Sequence, residues 1–249
     1  MKKNKNLCLN YHDFSGTKAD TSEVSKYTVK FDSFKEQLDL LKNFSNVPLF
    51  NLLQDQIDSG FNYSLTFDDG YKSNLYIAEE LAKRNLKGTF FIIKNRSLSD
   101  PKYLNVQEIK EIDQLGMEIG SHSCTHRHMN RLKKPVMIQE LRESKLFLEE
   151  ILGKPVYAIA YPGGHFGSRE IEASFKEGYL LNRTVITGLN SYPVDRGIVK
   201  SINITNEVNS ETFKSIINLS PFFFARVKIR EYVLSFPKYI ESKILSSRF

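Results

Sequence analysis

The chain has 249 residues, 41% of them hydrophobic and 26% charged, with five His, two Cys and no Trp. That length suits one large domain; two cysteines exclude a disulfide-stapled scaffold, and the ordinary composition excludes a disordered chain. Formal net charge is +6, of which residues 221–249 carry +4 from six basic and two acidic side chains; the remaining body is nearly balanced and has no nucleic-acid-binding signature.

The N-terminal Met1-Lys2-Lys3-Asn4-Lys5-Asn6 is charged like the start of a signal peptide, but the apolar stretch after it, residues 7–10, is too short for one. No apolar run reaches the ~18 residues of a transmembrane helix. The expected compartment is therefore the cytoplasm.

Apolar, β-prone segments are expected as strands at 7–11, 63–67, 88–93, 117–120, 156–161 and 183–186. Helical patterns lie between them. One spans 33–44, a second is capped by Ser73, and a third opens on an Asn105–Glu108 capping box and stops at Gly116. A longer one runs from 135 to 152 with Gly153 as its stop, and another runs from Ser168 to Gly178. This alternation predicts an α/β fold with a mostly parallel sheet or barrel. Chemistry in such barrels collects at the C-terminal strand ends. His12, Asp68 with Asp69, His122, and Tyr161-Pro162-Gly163 all follow predicted strands, so four strands bring special residues to one rim. The tail, 221–249, is expected as a basic, aromatic helical extension of a 1–220 domain. It either packs on the barrel or makes peripheral membrane contact.

Thr66-Phe67-Asp68-Asp69-Gly70 sets two carboxylates just past a strand. Adjacent side chains in extended backbone point apart, which suggests two roles, one toward a cation and one in acid–base work. His122-Ser123-Cys124-Thr125-His126 offers two imidazoles at i and i+4, able to bind one metal if the segment coils. Cys124 between them is read as a packing residue. One Asp and two His suit a divalent ion with an open position, where bound water has its pKa lowered to about 7. The other carboxylate can then act as general base. In Ala160-Tyr161-Pro162-Gly163-Gly164, glycine after proline allows close backbone approach, and a free N–H there can face an oxyanion. Tyr71, Tyr161 and Pro162 are the expected substrate-contacting residues, with Phe166 beside them. His128 and His165 receive no role.

Together these motifs, over residues 7–185, resemble the polysaccharide deacetylase family (NodB-homology domain, carbohydrate esterase family four). Gly88-Thr89-Phe90-Phe91 and Met117-Glu118-Ile119-Gly120-Ser121-His122 resemble its strand phrases. The resemblance implies a distorted (β/α) barrel and metal-dependent removal of an acyl group, usually acetate, from an amino sugar of a cell-surface polysaccharide or its precursor. It implies Asp69, His122 and His126 as ligands of a divalent ion, usually zinc, with Asp68 as base and Gly163 N–H as oxyanion donor. The chain departs from the family at Ala160, where members often carry Arg, in having no Trp, and in having no His after His165, where members often carry the general acid. Leu9-Asn10-Tyr11-His12 resembles the N-terminal Tyr-His element of poly-N-acetylglucosamine deacetylases, which implies His12 as that acid. The expected partner is an N-acetylated glycan. Alternatives are a lipid-linked sugar, deacylated or deformylated, or a catalytically inactive glycan-binding scaffold.

Overall fold

The computed structural model describes residues 5–19, 24–54 and 60–225. The chain forms two compact units, Met1–Glu207 and Val208–Phe249. The first begins with β1 (Lys5–Tyr11), β2 (Asp13–Ser15), β3 (Thr28–Lys30), α1 (Phe31–Leu41), β4 (Ser45–Asn46), β5 (Phe61–Phe67) and α2 (Asn74–Lys83). It continues through β6 (Thr89–Ile92), α3 (Lys94–Ser99), α4 (Val106–Gln114), β7 (Glu118–Ser121), α5 (Lys134–Leu152), β8 (Ala158–Ala160) and α6 (Ser168–Lys176). It ends with β9 (Leu181–Arg183), β10 (Asn190–Ser191), β11 (Ile198–Val199) and β12 (Ile202–Asn203).

The main sheet runs β10-β1-β5-β6-β7-β8-β9-β11 and is parallel throughout except for β10. Val199 pairs with Arg183 at one end of this sheet, and Ile202 pairs with Leu9 near the other. Residues so close in sequence reach opposite ends only because the sheet is nearly closed into a barrel.

The two-residue side-chain period sorts each strand into two faces. Outward, Tyr11, Phe14, Phe34 and Phe67 pack with ring centroids 5.1–6.1 Å apart, and Phe90 stacks on Phe67 at 4.5 Å. Inward, Cys8, Phe91, Ala158, Ala160, Leu181 and Val199 share one buried cluster. A Cβ on Gly120 would lie 2.5 Å from the Phe91 ring, so glycine there is what admits the phenyl group.

Asn105 accepts from Glu108 N–H while Glu108 accepts from Asn105 N–H, completing the expected capping box. Gly153 closes α5 in the left-handed region at φ 66°. Two expectations shift. Ser73 makes no cap bond; its hydroxyl donates to Asp13 Oδ1 at 2.7 Å instead. The strand expected at 183–186 is β9, which ends at Arg183. Its polar Asn182 and Arg183 are nonetheless buried: Asn182 Oδ1 accepts from the Tyr161 and Ser174 hydroxyls and Arg183 Nη2 donates to Asp68, while Asn182 Nδ2 and Arg183 Nε have no partner among the described residues.

In the second unit, Asn209 caps α7 (Ser210–Ile217) by accepting Thr212 N–H at 2.9 Å, and 221–225 are helical. Residues 226–249, and with them most of the predicted basic extension, lie outside the described residues. Among the described residues no helix is long and apolar enough to cross a membrane.

Candidate active site

The parallel sheet delivers its site residues from the C-terminal ends of β1, β5, β7, β8 and β9. The β5 end turns sharply at Asp69 (φ 72°) and Gly70 (φ 70°), so the two neighbouring carboxylates face different groups.

Asp69 Oδ1 lies 3.4 Å from His122 Nε2 and 3.1 Å from His126 Nε2. These three ligand atoms lie within 4.8 Å of one another. His122 Nδ1 is 2.8 Å from the carbonyl oxygen of Ala160. That oxygen can only accept, so Nδ1 carries the hydrogen and Nε2 of the neutral ring presents a lone pair. Asp69 Oδ1 is buried with no hydrogen-bond partner among the described residues. Burial pushes the Asp69 carboxyl up, but the two imidazoles outweigh it and hold the group well below the usual carboxylate range. A buried, unpartnered carboxylate oxygen converging with two imidazole nitrogens is a donor set that fits a divalent cation. Cys124 takes no part: its thiol is buried, contacts Glu140 O at 3.5 Å, and is pushed up to about 12 by burial.

Asp68 faces the barrel interior and is 4% exposed. Its Oδ1 accepts from Arg183 Nη2, and its Oδ2 accepts from Asn10 Nδ2 at 3.1 Å. Burial alone would raise its pKa, but the Arg183 guanidinium, helped by His122 and His12, reverses the sign and keeps the carboxyl below its ordinary value. Arg183, 1% exposed, lies over the Phe91 ring at 5.2 Å. Asn10 is fixed in turn by Asn203 Oδ1 at 2.9 Å and by Thr66 Oγ1, which donates to its Oδ1 at 2.8 Å.

His12 Nε2 is 3.7 Å from Asp68 Oδ2. The ring packs on Tyr27 at 4.5 Å, and the His12 carbonyl accepts from Asn74 Nδ2 at 2.8 Å. Burial holds the His12 ring below its ordinary pKa, against the opposing pull of Asp68 and Asp69.

Residues 58–180 match the family described as polysaccharide deacetylase. These residues form a domain of this family. The chain is 27% identical over 167 residues to YxkH of Bacillus subtilis (strain 168), a protein named after the same family, covering 67% of this chain and 60% of that one. It is 29% identical over 140 residues to the peptidoglycan-N-acetylglucosamine deacetylase of Bacillus cereus, covering 53% and 49%. The chain thus spans about half to three-fifths of the length of these two relatives. Among solved structures, the Streptococcus pyogenes deacetylase PplD, in complex with acetate, aligns at TM-score 0.75 and 22% identity over 86% of this chain and 98% of its own. A polysaccharide deacetylase of Bacillus cereus aligns at TM-score 0.73 and 26% identity over 86% and 69%. IcaB of Ammonifex degensii aligns at 0.73 and 20% over 86% and 95%. These neighbours share the barrel fold.

Within this polysaccharide deacetylase barrel, the residue at the Ala160 position has a counterpart one strand away. Ala160 and Arg183 are Cα partners across the β8–β9 ladder. The small Ala160 side chain leaves room, and the neighbouring strand supplies the guanidinium that meets Asp68.

The Pro-Gly-Gly turn follows β8. Gly163 is left-handed at φ 62° and exposed. Tyr161 O accepts Gly164 N–H and Pro162 O accepts His165 N–H, so these closing bonds leave out Gly163 N–H. The His128 and His165 rings lie tilted with centroids 4.2 Å apart, and a Gly163 Cβ would lie 2.8 Å from His128 Nε2. Tyr161 and Pro162 are buried; the Tyr161 hydroxyl donates to Asn182 Oδ1 at 2.5 Å and its ring stacks on Phe166. The Tyr161 side chain thus serves the core. Tyr71, by contrast, is half-buried beside Asp69 and stacks on Tyr103 at 4.9 Å. Sequence reasoning missed Arg183, Asn10 and Tyr27. Only Arg183 left a signal, as an isolated cation in a β-prone stretch.

Proposed function

We propose that the chain hydrolyses the N-acetyl group of an amino-sugar unit in a glycan, using a divalent ion held by Asp69, His122 and His126. Support comes first from the convergence of those three ligand atoms on the rim that also carries the Asp68–His12 pair. The name of the Bacillus cereus relative, a peptidoglycan-N-acetylglucosamine deacetylase, suggests the substrate class. Zinc suits the donor set; when bound, it supplies Lewis acidity toward the acyl oxygen and acidifies water.

The protein's own residues account for the proton movements. Asp68, held ionised by Arg183, accepts a proton from the attacking water. His12 is neutral at neutral pH, so it must receive a proton before it can give one. Its Nε2, 3.7 Å from Asp68 Oδ2, passes that proton to the departing nitrogen as the amide C–N bond breaks. The water oxygen leaves in acetate, and the sugar keeps a free amine. Gly163 N–H faces the negative acyl oxygen, and Tyr71 lines the approach.

A base held ionised beside metal ligands favours catalysis over glycan binding alone, which needs no such group. The test is acetate release from N-acetylglucosamine oligomers after zinc loading, with Asp68→Asn as control. Release by the wild type and none by the variant is expected. Stoichiometric zinc binding without release from any oligomer overturns the reading.

A further inference from the structure

The two predicted metal-binding histidines are oriented by different means. His122 is fixed through its own ring, by Nδ1 on the Ala160 carbonyl. Among the described residues His126 has no such ring bond, so its aim depends on the backbone of residues 123–126. That backbone is unusual: Ser123 (φ 68°) and His126 (φ 60°) both occupy the left-handed region, which side-chain-bearing residues adopt only when neighbours over-determine it.

The neighbours come from two directions. From α3, Lys94 N–H and Asn95 N–H donate to the carbonyls of Ser123 and Cys124 at 3.1 and 3.0 Å. From α5, Glu140 reaches in as a buried carboxylate, 4% exposed. Its Oε2 accepts the consecutive N–H groups of Cys124 at 2.9 Å and Thr125 at 2.8 Å. Its Oε1 accepts Thr125 Oγ1 at 2.5 Å and Arg127 Nη2 at 3.3 Å. Two successive N–H groups aimed at one oxygen form an anion-binding concavity, which the protein fills with its own carboxylate. One helical turn along, Ser144 pairs with Ser121 Oγ at 2.7 Å. Residues four apart share a helix face. One face of α5 therefore braces both ends of the segment that carries the two histidines.

We propose that Glu140 is the positioning residue of the metal centre, setting the aim of His126 and thereby the affinity for the ion. This rests on the reading of Asp69, His122 and His126 as metal ligands. Outer partners of metal ligands typically govern affinity by 10–100-fold.

The test is competition with a chromophoric chelator for zinc, together with the visible spectrum of the cobalt(II)-loaded protein. Wild type, Glu140→Ala, Glu140→Gln and Glu143→Ala are compared. Glu143 lies on the same helix, is half-exposed and pairs with Lys94, so it reports general damage to α5. Glu140→Ala is expected to bind zinc about 10–100-fold more weakly and to alter the cobalt spectrum, with metal-free unfolding still cooperative. Glu140→Gln retains an acceptor for the two N–H groups and is expected to fall between. Glu143→Ala is expected to match the wild type. Should Glu140→Ala fail to fold, Glu140→Gln and Thr125→Val carry the same comparison. Wild-type affinity and spectrum in the folded Glu140 variants overturn the proposal while leaving the metal site intact. A wild type that binds no zinc overturns the metal site itself, and the proposal with it.

Discussion

Replacing Arg183 by Met tests how the base is held. Met keeps an apolar stem near the Phe91 ring and removes the guanidinium from Asp68. Asp68 is then a buried anion whose remaining strong donor is Asn10 Nδ2 at 3.1 Å. Opposite charges ~4 Å apart at an effective dielectric of about 20 attract by about 4 kcal/mol. In the wild type the Asp68 pKa is lowered, so its stabilising contribution is present above the unfolded value and lost as pH falls. Without Arg183, burial dominates and the sign reverses: the carboxyl rises above its ordinary value, and its ionised form costs stability at neutral pH. Two measurements follow. The acidic limb of the kcat–pH profile on N-acetylglucosamine oligomers should move to higher pH. Urea denaturation at neutral pH should show a loss of about 3–5 kcal/mol, as for other broken buried pairs. An unmoved acidic limb with unchanged stability would refute the assignment. Ala160 is the ladder partner of Arg183, so adding Ala160→Arg should return a cation to Asp68 and lower the acidic limb again.

Three further outcomes are expected. His12→Ala should bind the ion normally by metal analysis yet lose about 10²–10⁴ in turnover; undiminished turnover removes His12 from the proton path. Gly163→Ala places a Cβ 2.8 Å from His128 Nε2 at φ 62°, a strain of about 1–3 kcal/mol; kcat should fall more than KM rises, and wild-type stability with wild-type kcat argues against any role for this turn. Asp68 and Asp69 both titrate below their ordinary range in the folded metal-free protein. Through these two groups its urea midpoint should drop as pH falls through about 4. Asp69→Asn should shallow that drop, and an equally steep drop in the variant assigns it to other groups.

The sequence was most legible where chemistry and local geometry coincide. Asp68, Asp69, His122 and His126 stand in short motifs at strand ends, and the Asn105–Glu108 box and Gly153 mark helix ends by local rules alone. Arg183 was not readable as a partner of Asp68, because their contact joins residues on β9 and β5. Periodicity shows that a strand exists, not which residue lies across the barrel from which. β9 starts two residues before the strand expected at 183–186, because Asn182 looks like an exposed residue until its internal partners are known. Strands β4 and β10–β12 have two residues each, too few for any alternation to show. Glu140 was hidden for the same reason as Arg183: a lone acid on an amphipathic helix normally reads as a solvated side chain.

The inward face of β1 and β5 shows what holding a buried base demands. Asn6, Cys8 and Asn10 pair in register with Asn62, Ser64 and Thr66, a mostly polar row inside a barrel whose outer face is aromatic. An apolar row would bury more favourably, but it would leave Asp68 with no neutral donor beneath it. The row is instead linked by hydrogen bonds: Asn6 Nδ2 donates to Asn62 Oδ1 and Ser64 Oγ, Thr66 Oγ1 donates to Asn10, and Asn10 donates to Asp68. Buried polar groups bonded in this way cost little, whereas a missing partner, as at Asn6 Oδ1 among the described residues, costs about 1–3 kcal/mol. The arrangement separates the two adjacent carboxylates by environment. Asp68 is anchored from below by β1 and β9 and faces His12, while Asp69 faces the imidazoles with an Oδ1 that has no hydrogen-bond partner among the described residues.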